Sequence, residues 1–404
     1  MANTTDVLEQ LFDLYFQKIR ETSLDFIRPM ISYLEEEERL IGIKGPRGVG
    51  KTTLLLQYLK QIDLDQKGEN LYVSLDHIWF LDNKLYNLTD KFVKRGGKVL
   101  ALDEVHKYPN WSQELKNIHD DFTQLKVVFT GSSLLEILNA RADLSRRAVV
   151  HDMQGLSFRE YLSLETGFHL PQLSLSQILN THVECSSLIL EKLKPFVHFQ
   201  SYLKQGYYPF YLQSQKNYTT KLDSVINLIL EIELPLLRQT DISYARKMKQ
   251  LLLILAESSP FVPNLTKMAE RIGINRKTLL LYIHYLEEAK LIRSIHKDSK
   301  GITRLQKPDK ILLDNTSLSL LLSPSSDIGS LRETFFTNQL NHHHKIAYPV
   351  KGDYIIDDQF LFEIGGKTKS SKQIEGIPNA FRVLDDIEFG NGNTIPLWLF
   401  GFLY

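Results

Sequence analysis

The chain has 404 residues, 43% hydrophobic and 24% charged, proportions that suit a globular protein of two or three domains. Its 48 basic and 48 acidic residues cancel, so the composition gives no sign of a strongly basic nucleic-acid binder and leaves only local patches to consider. A single cysteine, Cys185, excludes an internal disulfide framework and any multi-cysteine zinc site. No apolar run approaches the roughly 20 residues of a membrane span. The opening MANTTDVLEQLFDLYF carries acids where a signal peptide carries lysines, and the expectation is a cytoplasmic protein with no membrane partner.

In chain order, residues 1–35 read as an N-terminal helical arm, with Leu8, Leu11, Phe12, Tyr15, Phe16 and Ile19 recurring at three- and four-residue spacing. Over 36–155 the apolar runs LIGI, NLYVSL, KVLALD, LKVVFTG and RAVVHDM alternate with helix-like segments. That rhythm predicts an α/β core, a parallel sheet covered by helices. Residues 156–255 read as a helical lid or connector broken at Gly206, Pro209 and Pro235. Within 256–300, LTKMAERIGI and NRKTLLLYIHYLEEAKLIRSIH meet at Gly273 as a helix-turn-helix with a wing, a winged helix. From 301 to 404 a helix, RETFFTNQL, leads into strand-like DYIIDDQFLFEIGG and TIPLWLFGFLY, a small α/β module. His342, His343 and His344 fall at a turn and read as an exposed loop rather than a metal site.

The chemistry concentrates in GPRGVGKTT, formed by Gly45, Pro46, Arg47, Gly48, Val49, Gly50, Lys51, Thr52 and Thr53. It fits G-x-x-x-x-G-K-[ST] at every fixed position, between a strand-like run and a helix-like one. Glycines let backbone N–H groups converge on phosphate oxygens, Lys51 would reach the β- and γ-phosphates, and the Thr52 hydroxyl would bind Mg²⁺. About fifty residues on, VLALDE ends a buried strand in two acids. Asp103 would supply the second Mg²⁺ contact, and Glu104 stands where a carboxylate activates a hydrolytic water. After the next strand, Thr130, Ser132 and Ser133 could reach the γ-phosphate or the water, or simply cap the helix that follows. Arg146 and Arg147 precede the fifth strand, with guanidinium groups suited to transition-state charge.

Together GPRGVGKTTLL, LALDEVHKYPNW, VVFTGSS, LSRRAVVHDMQGLSFREYL and the ending from RETFFTNQL to LFEIGGK resemble a known family. It is the bacterial and archaeal AAA-like P-loop ATPases of the extended AAA+ group, commonly paired with a C-terminal domain of uncharacterised function. The resemblance spans nearly the whole chain. It implies an AAA-type core, a helical region, a winged helix and a C-terminal domain similar to restriction-endonuclease folds, with ATP as the nucleotide. It also implies that Arg147 matches the family's arginine after the sensor strand, which acts in cis or, in a homo-oligomer, across a subunit boundary.

Nucleases of the restriction-endonuclease type use an early Glu, then Asp, then Glu-x-Lys. Glu333, Asp353, Glu363 and Lys367 follow that order, but Gly365 stands where the lysine belongs. A bulge at Gly365-Gly366 would be needed to bring Lys367 closer. Lys367, Lys369 and Lys372 could instead touch phosphates without cutting. In the helix-turn-helix, Asn275, Arg276 and Lys277 open the second helix, where a DNA reader presents its contacts, and Arg293 and Lys297 fall in the expected wing. Three functions stay open from the residues. They are a Mg²⁺-dependent ATPase acting on DNA in repair, recombination or defence, a nucleotide-controlled switch or scaffold for a protein partner, and an ATP-regulated metal-dependent nuclease.

Overall fold

The computed structural model describes residues 4–62, 68–131, 144, 146–238, 243–257, 264–297, 307–370 and 372–404. The chain divides into two compact units, Met1–Gly155 and Leu156–Tyr404. The division falls between two sets of bonds. Arg28 closes the first unit by donating to the carbonyls of Gln154, at 2.7 Å, and Gly155, at 3.0 Å. Leu156 N donates to Tyr207 O at 2.8 Å inside the second.

The first unit is a parallel sheet of β1 (Leu40–Lys44), β2 (Asn70–Ser74), β3 (Val99–Asp103), β4 (Lys126–Gly131) and β5 (Val149–Asp152), in the order β2-β3-β4-β1-β5. All five strands coincide with the apolar runs of the sequence. Strands β1, β3 and β4 are buried along almost their whole length, because a parallel sheet is covered on both faces, and so they read as unbroken apolar runs. Edge strand β5 is only half buried. Helices α2 (Lys51–Ile62), α3 (Leu85–Lys94) and α4 (Trp111–Asp121) connect the strands. The expected N-terminal arm is α1 (Thr4–Glu21), which buries Leu8, Leu11, Tyr15 and Ile19 in this unit. What the apolar runs do not specify is that β4 lies between β1 and β3, so the end of the phosphate-loop strand and the end of the Asp103 strand flank the end of β4.

The second unit begins with α5 (Phe158–Thr166), whose N-terminus is closed by a reciprocal capping box between Ser157 and Glu160. Helices α6 (Leu175–Leu190), α7 (Pro195–Ser201), α8 (Tyr218–Leu228), α9 (Leu234–Arg238) and α10 (Ser243–Glu257) follow. Then come α11 (Leu265–Ile272) and α12 (Arg276–Glu288), and an antiparallel pair, β6 (Ile292–Ile295) with β7 (Lys310–Leu313). Helices α13 (Thr316–Leu322) and α14 (Ile328–Leu340) lead into β8 (Ile346–Ala347), β9 (Tyr354–Ile356), β10 (Phe360–Gly365), β11 (Ala380–Leu384) and β12 (Thr394–Pro396). That sheet has the order β12-β11-β10-β9-β8, antiparallel from β8 to β10 and parallel from β10 to β12. Among the described residues no helix is long and apolar enough to cross a membrane.

Candidate nucleotide site

The loop between β1 and α2 is shaped by its glycines. A Cβ on Gly45 would lie 2.1 Å from the Met153 carbonyl oxygen, so the loop can leave β1 at that angle only with glycine there. Gly50 holds φ at 100°, a backbone state that costs other residues strain. Helix α2 opens at Lys51 directly after it, which puts the positive end of the helix dipole and its unpaired first-turn amides at the loop, an anion site by construction. The Lys51 ammonium is buried and donates to the carbonyls of Gly45, at 2.9 Å, and Pro46, at 2.8 Å. It is thus held inside the loop.

Asp103 closes the other side. Its carboxylate is buried and receives three hydroxyls from three elements: Thr52 of α2 at 2.7 Å and Tyr72 of β2 at 2.9 Å on Oδ2, and Thr130 of β4 on Oδ1. Hydroxyl and carboxylate oxygens are the hard donors Mg²⁺ takes, so Thr52 and Asp103 fit that ion. Glu104 follows with φ 53°, a left-handed turn costing a glutamate about 1 kcal/mol or more, and its N–H makes a long contact of 3.4 Å with Thr130 Oγ1. Strained non-glycine backbone of this kind gathers at functional sites.

Next to it, His106 Nε2 lies 3.4 Å from Glu104 Oε2. The ring's pKa is pushed down to about 3, first by burial and then by the positive charges of Lys107, Lys51 and Arg47, against a smaller opposing pull from Asp76. Geometry alone would make this an ion pair. With burial dominating, the ring is held neutral, and Nε2 stands at hydrogen-bonding reach of the carboxylate in the tautomer that carries its proton there.

Two families match parts of the chain: an AAA domain over residues 37–162 and a domain of unknown function (DUF8612) over residues 197–327. Residues 37–162 form an AAA-type P-loop ATPase domain. The uncharacterized protein MJ1637 of Methanocaldococcus jannaschii is 26% identical over 393 residues, covering 89% of this chain and 83% of the relative. Among solved structures, the Walker-type ATPase of Pyrococcus abyssi aligns with a TM-score of 0.41 at 12% identity, over 74% of this chain and 95% of that one. AMPPCP-bound DnaA from Aquifex aeolicus aligns at 0.28 and 15%, over 70% and 89%.

Of the residues expected in the ATPase domain, Lys51, Thr52, Asp103, Glu104 and Thr130 converge. Ser132 and Ser133 lie outside the described residues. Arg147 makes a two-point pair with Asp120 of α4, Nε and Nη2 each at 2.8 Å, and this holds the Asp120 carboxyl well below its usual range. The sequence reading missed Tyr72 and the role of His106. His106 stands two residues after Glu104 and could have been noticed, whereas Tyr72 reaches Asp103 only through the strand order.

In the second unit the expected acidic set does not assemble as one metal site. Among the described residues no group of three or more His, Cys, Asp and Glu side chains is arranged to hold a metal. Asp353 and Glu363 stand opposite one another across the β9–β10 ladder, since Asp353 N donates to Phe362 O at 2.9 Å and Asp353 Oδ2 accepts from Ile364 N at 2.7 Å. Glu333 is instead held by buried Lys310 and by the Tyr354 hydroxyl. The expectation for Lys367 is corrected: it is exposed, and Lys369 is the lysine that meets Glu363, at 3.1 Å. A tight turn closed by Lys369 N and Gly366 O folds the chain back and delivers the later side chain.

The expected wing contact Arg293 is also corrected, because it is buried and paired with Asp314 at 2.9 Å. Lys297 is exposed, with its ammonium 4.0 Å from Asp309. Arg276 and Lys277 are exposed at the start of α12, and Asn275 caps that helix by accepting from Thr278 N at 2.8 Å.

Proposed function

We propose that the protein is a Mg²⁺-dependent ATPase whose turnover drives a conformational change, and that it acts on DNA through the second unit. The observation that carries the metal dependence is the meeting of Thr52 and Asp103 beside the phosphate loop. Bound between them, Mg²⁺ would neutralise charge on the phosphate oxygens. Lys51 exchanges its two loop carbonyls for phosphate oxygens, which are stronger partners for an ammonium. Glu104 orients the attacking water and takes its proton, and the neutral His106, in the tautomer with its proton on Nε2, fixes the carboxylate that does so.

The DNA reading rests on α10, α11 and α12 followed by the β6–β7 pair, the element order of a winged helix, with Arg276 and Lys277 exposed at the start of the second helix of the turn. Helix α14 followed by antiparallel β8 to β10 and parallel β11 supports a restriction-endonuclease-like module, used here for binding. Glu333 is committed to Lys310 and Lys367 is absent from Glu363, so cutting has less support.

The test is phosphate release with Mg²⁺ or EDTA, alone and with duplex, single-stranded and branched DNA. Lys51→Ala should lose ATP binding. Glu104→Gln should keep binding and lose turnover by about a hundredfold or more. Equal turnover in wild type and Glu104→Gln would sink the hydrolytic assignment, and a rate indifferent to every DNA would favour a protein-interaction switch.

A further inference from the structure

We propose that Tyr72 is a positioning residue of the ATPase site, its hydroxyl holding the Asp103 carboxylate in the orientation in which it meets a divalent cation. The inference rests on the metal-dependent reading above and adds to it a residue outside the phosphate loop and the Asp103-Glu104 pair.

The register explains how an edge-strand side chain arrives there. Strand β2 runs parallel to β3 with Tyr72 opposite Ala101 and Ser74 opposite Asp103. Side chains two apart share a face, so Tyr72 and Asp103 lie on the same side of the sheet, and the phenol is long enough to bring its hydroxyl to Oδ2 at 2.9 Å. Valine or isoleucine, the usual occupants of a buried parallel strand, could not do this.

The two carboxylate oxygens are served unequally. Thr130 donates to Oδ1 while Thr52 and Tyr72 share Oδ2. Thr52 is also the hydroxyl expected to ligate the cation, through an oxygen lone pair while its O–H still faces Oδ2, so on loading its hold on the carboxylate is shared with the ion. With Tyr72 present, Oδ2 keeps a second donor throughout and the carboxylate has no reason to rotate. Without it, Oδ2 keeps the Thr52 hydroxyl that is shared with the ion, the carboxylate is freer to turn out of the pose in which it meets the cation, and a hydrogen bond to a charged group is among the costlier ones to lose. Cation loading should therefore become harder, while binding of nucleotide without the cation should not change.

Tyr72→Phe keeps the ring and removes only the hydroxyl, so the core remains filled. Binding of mant-labelled ATP to the full chain would be followed by fluorescence in EDTA and across a Mg²⁺ titration, with a thermal melt of each protein. The expected result is a rise of roughly tenfold in the Mg²⁺ concentration for half-saturation, with affinity in EDTA unchanged. A shift below about twofold, or an equal loss in EDTA that marks a merely structural role, overturns the assignment to Tyr72. If wild-type binding is itself indifferent to Mg²⁺, the metal-dependent reading fails and this one with it. A wild type that responds normally beside an unaltered Tyr72→Phe removes only the tyrosine.

Discussion

At the start of acid titration His106 is the residue to watch, because its ring is pushed down to about 3 from an ordinary 6.5. The groups around it are Lys107, Lys51, Arg47, Asp76 and Glu104, and its side chain is only 5% exposed, so burial counts nearly in full. As pH falls below 6.5 the unfolded chain takes up a proton that the folded ring refuses. The stability from keeping it neutral is therefore complete above that pH and lost progressively down to about 3, roughly 2 kcal/mol of it by pH 5. His106→Asn should flatten this part of the pH dependence, as read from urea midpoints at pH 7 and pH 5. Identical midpoint shifts in both proteins would mean that the ring is not held neutral. Legibility at this scale divides by distance along the chain. Lys51, Thr52, Asp103 and Glu104 were readable because a phosphate loop and a paired acid at a strand end each carry their chemistry within a few consecutive residues. Tyr72 was not, because a tyrosine in NLYVSL looks like any large core residue until the neighbouring strand is known.

Among elements, four strands of the first sheet, β1 to β4, were legible because burial leaves an unbroken apolar run, bounded by polar turns, whereas edge strand β5 was marked by a shorter run, AVV, without that burial. Their order was not, since β1 pairs with β4 and β5, strands far from it in sequence, and apolar content does not encode a partner. The end of β10 shows the same limit over a shorter span. The order of an early Glu, then Asp, then Glu-x-Lys singled out Lys367 and called for a bulge at Gly365-Gly366 to bring it in, but the turn after Gly365 brings Lys369 to Glu363 instead, a carboxylate with no exposure at all. Lys369→Ala would leave that carboxylate buried without its countercharge, at a cost of about 3 kcal/mol. Lys367→Ala, on an exposed side chain, should stay within about 0.5 kcal/mol. Urea unfolding of the two variants beside wild type reads the difference directly, and equal effects would mean the ion pair is not what holds the turn.

For the molecule as a whole, a net charge of zero says that any affinity for DNA must come from a local arrangement, and the structure redistributes the candidates. Arg293 is withdrawn into an ion pair with Asp314, and Asn275 is spent on capping α12. Arg276 and Lys277 stay exposed at the start of that helix, where the dipole also favours a phosphate. If they touch the backbone of a duplex, each contact releases condensed counterions, and the dependence of log K on log salt steepens by about 0.9 for each phosphate neutralised. Arg276→Ala with Lys277→Ala should therefore weaken binding of a labelled duplex most strongly at low salt and reduce that slope by nearly 2, as measured by anisotropy between 50 and 200 mM salt. Arg293→Ala is the contrasting variant: a loss of its ion pair should lower stability through the stranded Asp314 without a selective change in slope. A slope that stays the same in the double variant would place the DNA contact elsewhere in the second unit. Wild type that binds no DNA even at low salt would leave the ATPase working on a protein partner, with Arg276 and Lys277 as part of an ordinary solvated helix end.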